Sequence, residues 1–252
     1  MLPTCIPRVV SRTEEQAWNA CQLLVPVTRP ARQLWVYRKP AVVLGRSQSR
    51  TVCAKDVHRR TDVDVVERQS GGGAVLVGPW MLSASVVLPA AHPLVSKGVT
   101  SSYKWIGEAY ASVLRQMGIA ARSLTPEQVM PARQHDTGID WACFGSLSPW
   151  EVVVAGRKIL GLAQTRRRTG VLLVAGLLLD RPDWSLLCRA MGKPAQSADL
   201  LVEKTTSCAE EFGGPLPRLE LAYRVGTALR EAMTWPTQDS GWKRHDVIPA
   251  FA

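Results

Sequence analysis

The chain has 252 residues, of which 46% are hydrophobic and 21% charged, which suits a sizeable core and excludes an intrinsically disordered chain. Its longest nearly uninterrupted apolar run, Gly170 to Leu179, is far shorter than the ~18 residues of a membrane span, and Met1 to Pro7 lacks the charge and apolar length of a signal peptide, so a soluble cytoplasmic protein is expected. The formal charge of +10, from 31 Lys and Arg against 21 Asp and Glu, predicts an acidic partner.

The spacing of Ser11 and Glu14 predicts a capping box, with Ala17, Cys21 and Leu24 forming the core face of a first helix. Leu34–Tyr37 and Ala41–Leu44 read as strands around Arg38-Lys39-Pro40. A further strand over Val63–Glu67 runs into Gln69-Ser70-Gly71-Gly72-Gly73, and strand composition returns at Ala74–Val77 and Met81–Leu88. Apolar residues at 106, 109, 110, 113, 114 and 117 predict a helix over Ser102–Met117 with Gly118 as its C-terminal cap. The stretch 122–149 is loop-like. After it, Glu151–Val154, the turn Ala155-Gly156-Arg157 and Lys158–Gln164 predict a hairpin, followed by a basic loop over Thr165–Thr169 and a buried strand over Gly170–Leu179. Helices are expected over Asp183–Met191 and Pro217–Trp235, with a loose tail at 236–252. Strands pairing locally, with single helices between them, predict an α+β fold with a mixed β-sheet and packed helices. One domain spans 1–252, its core at about 11–235.

Six cysteines, at 5, 21, 53, 143, 188 and 208, show neither a C-x-x-C pair nor a metal-ligand spacing, so neither zinc nor a disulfide framework is indicated. Cys21 and Cys188 read as core residues, whereas Cys143 lies in a polar loop and is a candidate nucleophile. His135 and Asp136 are near it in sequence, which says little about geometry and leaves them as surface residues. Gly71-Gly72-Gly73 reads equally as a bulged turn or as a loop letting the backbone approach a ligand. Lys158 opens an apolar strand and either snorkels to solvent or, drawn into a cleft, serves as a base or oxyanion donor. The basic residues fall in short groups (Arg29/Arg32, Arg38/Lys39, His58-Arg59-Arg60, Arg166-Arg167-Arg168) without a nucleic-acid-binding motif. Acidic carrier proteins fit that charge as well as nucleic acid does.

Arg68-Gln69-Ser70-Gly71-Gly72-Gly73-Ala74-Val75, followed by Cys143-Phe144, Ser148, Glu151-Val152-Val153-Val154 and Gly156-Arg157-Lys158-Ile159-x-Gly161-x-Ala163-Gln164, resembles the lipoate-protein ligase and octanoyltransferase family. A weaker likeness extends over Trp35-Val36-Tyr37, over Leu44-Gly45-Arg46-Ser47-Gln48 and to Thr205-Thr206-Ser207. The resemblance implies the fold shared with biotin protein ligases, an acyl group bound by Arg68, Ser70, Gly71, Gly72, Gly73, Ala74, Gly161 and Ala163, and catalysis by Lys158. Cys143 lies eight residues before Glu151, a spacing that resembles the single-domain octanoyltransferases and implies a Cys143 thioester formed without cofactor or metal. The implied activity is transfer of an octanoyl or lipoyl group from acyl carrier protein to a lysine of a lipoyl domain, such as glycine cleavage H protein or the E2 component of a 2-oxoacid dehydrogenase. The alternatives are an ATP- and Mg-dependent lipoate ligase acting through an acyl-adenylate, and a non-catalytic acyl or carrier-protein binder. Two positions depart from the family pattern: Val77 and Ala175 stand where the family has histidines.

Overall fold

The computed structural model describes residues 6–11, 13–129 and 139–234. His135, Asp136 and the tail 236–252 lie outside the described residues. The strands are β1 (Arg8–Val10), β2 (Ala31–Tyr37), β3 (Ala41–Leu44), β4 (Asp64–Glu67), β5 (Val75–Val77), β6 (Met81–Leu88), β7 (Arg122–Ser123), β8 (Val152–Val154), β9 (Arg157–Arg167) and β10 (Gly170–Leu178). Seven form one mixed sheet in the order β1-β2-β6-β10-β9-β8-β7, and β4-β3-β5 form a second. The pairs β1–β2 and β3–β4 are parallel, the others antiparallel.

Alternation along β6 and β10 divides the interior in two. Leu82, Ala84, Val86 and Leu88, with Leu173, Ala175 and Leu177 of β10, face the helices Lys104–Gln116 and Arg218–Thr234 through Ile106, Tyr110, Leu114, Leu221, Val225 and Leu229. Met81 and the β2 residues Trp35 and Tyr37 belong to the opposite core, shared with the second sheet and with the helices Ala54–Thr61, Trp184–Met191 and Gln196–Lys204. The predicted helix at 102–117 is present as Lys104–Gln116, and Gly118 follows it at φ +85°, the left-handed conformation of a C-terminal glycine. The predicted hairpin joins β8 to β9 by a two-residue turn with Ala155 at φ 48° and Gly156 at φ 83°.

Three expectations are corrected. The segments 34–37 and 41–44 do not pair with each other: the first belongs to the large sheet and the second to the small one, as do 81–88 and 75–77. A short turn-forming link permits a crossing between sheets as readily as a hairpin, and only the long-range partners decide. The basic loop is shorter than expected, because Arg166 and Arg167 lie in β9 paired with Val171 and Gly170. Arg166 donates to Val95 O at 2.7 Å and to Ser102 Oγ at 2.9 Å, so it fastens a neighbouring segment to the sheet.

The remaining correction concerns the first helix. It runs from Glu14 to Gln22, and Ser11 does hold Glu14 through its hydroxyl at 2.9 Å, but Ala17, Cys21 and Leu24 are exposed while Glu15 and Asn19 are buried. The helix is rotated from the apolar register because its inward face covers a cleft. Trp18 anchors it by an edge-on contact with Trp35, 5.7 Å between ring centroids.

Candidate active site

Lys158 is the second residue of β9 and is 1% exposed, so it does not snorkel. Its Nζ donates to Cys143 O at 2.7 Å and to Ser146 O at 3.0 Å, and forms an ion pair with Glu151 Oε2 at 2.7 Å. The ring of Phe144 lies 5.2 Å from the same nitrogen. Three acceptors match the three protons of an ammonium group, and two are carbonyls of the segment that presents Cys143. Glu151 is fixed in turn: Oε2 accepts from Ser148 N–H at 2.8 Å and Oε1 from Leu162 N–H at 3.2 Å. Burial raises the Glu151 carboxyl above its ordinary range, with Lys158 and the two amides drawing it back. Sequence reasoning used Glu151 only as a spacing marker, because a glutamate beginning a strand gives no sign of a buried partner.

Cys143 begins a single 3₁₀ turn, Cys143–Gly145, and is half-buried. Its N–H donates to Ala74 O at 2.9 Å, while Ala74 N–H donates to Trp141 O at 2.8 Å, so the end of the glycine loop is stitched to the cysteine segment. Gly73 permits this approach: a Cβ there would lie 2.5 Å from Trp141 O and 2.7 Å from Cys143 N. Arg68 holds the loop from the other side, its Nη2 donating to Gly71 O at 3.0 Å and Gly73 O at 2.8 Å. The amides of Gly71, Gly72 and Gly73 donate to no other described residue. These contacts bring Cys143 and Lys158, 15 residues apart, against the glycine loop from a distant part of the chain.

The same elements border a partly open cleft of ≈ 130 Å³ on the face of the large sheet beneath the first helix. Arg68, Ser70, Cys143, Gly161 and Ala163 line it, whereas Lys158 lies behind Cys143 and Gly161, and Ala74 is buried in the bridge to Ala142. The cleft walls are largely apolar, with Val43, Val75, Val77, Leu172 and Val174 among them. Val77 therefore does occupy a cleft position. Ala175 points through the sheet into the opposite core, so its replacement of a family histidine does not dry the cleft directly.

The model of the lipoyl protein ligase A/B catalytic domain matches residues 21–223, most of the length that carries this arrangement. The chain belongs to that family. The octanoyltransferase LipM of Symbiobacterium thermophilum is 31% identical over 219 residues, covering 81% of this chain and 76% of that protein. LipM of Kyrpidia tusciae is 38% identical over a shorter span of 115 residues, 46% of this chain and 41% of that protein. Among solved structures, a lipoate protein ligase from T. acidophilum with bound lipoic acid superposes with a TM-score of 0.64 at 18% identity, covering 89% of this chain and 84% of that one. This likeness establishes the shared fold. Within the ligase A/B fold, the glycine loop, the lysine strand and the cysteine turn meet at the edge of one cleft. Among the described residues, no helix is long and apolar enough to cross a membrane, and no group of three His, Cys, Asp or Glu side chains is placed to hold a metal.

Proposed function

We propose that the chain is an octanoyltransferase of protein lipoylation that passes a medium-chain acyl group from a carrier thioester to a lysine of a lipoyl domain through Cys143. The observation that carries this reading is Cys143 itself, half-buried at an apolar cleft with its backbone held on both sides by Ala74 and Lys158. In the first step the Cys143 sulfur attacks the carrier's thioester carbonyl, the carbon–sulfur bond to the carrier breaks, and the carrier leaves as a thiol carrying the proton given up by Cys143. In the second the ε-amine of the acceptor lysine attacks the new thioester, the amide forms, and the proton lost by the nitrogen returns Cys143 to its thiol.

Lys158 serves this sequence as a positioning residue. Its ammonium fixes the carbonyls of Cys143 and Ser146, and contact with an acyl carbonyl would require release of one of its three partners. The amides of Gly71–Gly73, not engaged by other described residues, are suited to a carbonyl oxygen that gains charge. The experiment is incubation of the full chain with octanoylated carrier protein, without ATP, followed by intact-mass measurement and a chase with a lipoyl domain. An octanoyl adduct on Cys143 that disappears as the domain gains the group is expected. No adduct, together with AMP formation from ATP and free octanoate or lipoate, would reassign the chain as a ligase.

A further inference from the structure

Between Leu160 and Lys158 the ladder of β9 with β10 ends, and the segment Thr205–Ser207 takes the place of β10. Leu160 pairs with Leu177, whereas Lys158 bridges in parallel to Thr205, and Thr206 N–H donates to Lys158 O at 3.0 Å. On its other side β9 carries a bulge: Lys158 pairs with Val153 and Leu160 with Val152, so Ile159 has no opposite residue on β8. Ile159 and Leu160 consequently both join the core beneath the helices Lys104–Gln116 and Arg218–Thr234. Lys158 and Gly161 share the opposite face, where a Cβ at Gly161 would lie 3.5 Å from Lys158 Cε. Regular alternation would put residues three apart on opposite faces. The direction of Lys158 is thus set by an irregular stretch of backbone, and Thr206 holds the carbonyl there.

Thr206 is itself fixed from outside the cleft. It is 2% exposed, and its hydroxyl oxygen lies 2.6 Å from Glu211 Oε1 and 3.0 Å from Glu210 Oε2. One hydroxyl proton serves two carboxylates, which repel each other without it. Arg157 Nη2 balances Glu211 at 2.6 Å, Arg181 Nε balances Glu210 at 2.6 Å, and Ser207 closes a capping box with Glu210. None of these residues borders the cleft. We infer that Thr206 is a positioning residue for acyl transfer: its hydroxyl holds the segment whose N–H fixes Lys158 O, and through it the reach of Lys158 Nζ to the Cys143 and Ser146 carbonyls. The inference rests on the acyl-transfer reading, since it takes the Cys143 turn to receive the acyl group. Loss of the hydroxyl leaves Glu210 and Glu211 facing each other, shifts the segment and loosens the lysine, while the cleft that receives the chain is unaltered. The consequence is a slower chemical step at unchanged substrate affinity.

The test compares Thr206→Val and Thr206→Ser with the unmodified chain in octanoyl transfer from carrier protein. Proton exchange of the Lys158 ammonium is followed in parallel by NMR of the full chain with labelled lysine. Thr206→Val is expected to lower kcat about tenfold or more with KM for the octanoylated carrier within about twofold, and Thr206→Ser to restore most of the loss. Exchange at Lys158 Nζ should quicken in Thr206→Val alone. A valine variant with unchanged kcat and exchange, a serine variant as impaired as the valine one, or a loss carried wholly in KM would overturn the inference. Should Thr206→Val fail to fold, Glu211→Ala decides by the same two readouts, with lower kcat and faster exchange expected and no change in either overturning the inference. Absence of transfer by the unmodified chain would reject the acyl-transfer reading alone, because exchange at Lys158 is read without substrate.

Discussion

Lys158 and Glu151 face each other at 2.7 Å, each side chain 2% exposed, and this pair ties the strand β9 to the loop that carries Cys143. Removing one partner leaves the other as an uncompensated buried charge. Glu151→Gln and Lys158→Met should each lower unfolding stability by about 3–5 kcal/mol. The double variant Glu151→Leu/Lys158→Met should regain most of that loss while remaining inactive, because a well-packed apolar pair restores the fold but not the grip on Cys143 O. Denaturant unfolding and transfer assays on the same samples check both halves, and a double variant no more stable than the singles would contradict the account.

Cys143 sits at the cleft and not in the core, so Cys143→Ala should keep stability within about 1 kcal/mol of the unmodified chain. It should form no acyl adduct and transfer no octanoyl group. Full transfer by this variant would remove the thioester from the mechanism.

Two neighbouring glycines should respond differently. An added methyl at Gly73 meets Trp141 O at 2.5 Å and Cys143 N at 2.7 Å, both backbone atoms, whereas one at Gly71 meets nothing within 4 Å. Gly73→Ala should therefore push the glycine loop from the cysteine turn and lower kcat/KM by at least tenfold, about 1.4 kcal/mol of transition-state stabilisation. Gly71→Ala should leave kcat/KM within about threefold of the unmodified value, below half of that energy.

The buried Glu15 carboxyl titrates above its ordinary value, raised chiefly by desolvation and opposed by Ser83, Tyr37 and the charge of Arg68. Over the interval from the ordinary carboxyl value of 4.5 up to the raised value, the folded chain binds the proton more tightly than the unfolded chain. The contribution is therefore complete below the unfolded pKa and is lost as pH rises through the folded one. Unfolding free energy measured against pH should fall across that interval by at most about 1.4 kcal/mol per pH unit, and Glu15→Gln should remove this slope. Identical pH profiles for the two proteins would show that Glu15 does not titrate in this way.

The charge of +10 suits encounter with acidic carrier and lipoyl domains. Because exposed charges are screened over about 8 Å at physiological salt, higher ionic strength should raise KM for the carrier and change kcat little. Arg166→Ala should instead lower stability without changing that salt dependence, since its guanidinium is engaged by Val95 and Ser102. Kinetics indifferent to salt would reject electrostatic docking.

The sequence alone determined the parts of this protein whose signals are local. The periodicity at 106–117 with Gly118, the Ala155-Gly156 turn and the apolar run after Gly170 each specify an element through neighbouring residues, and the motifs around Gly71–Gly73, Cys143 and Lys158 mark the family. Tertiary structure alone decided which strands shared a sheet, since the link at Arg38–Pro40 serves a crossing as well as a hairpin. It decided that Ala175 faces away from the cleft and that Lys158 is buried against Glu151 instead of reaching solvent. The first helix shows the physical reason most directly. Its apolar residues predict one inward face, but the helix covers a cleft and not a core, so Glu15 and Asn19 turn inward and the hydrophobic pattern points to the wrong side. Periodicity predicts the inward face of a helix packed on a core, whereas this helix roofs a cleft with the polar pair Glu15 and Asn19.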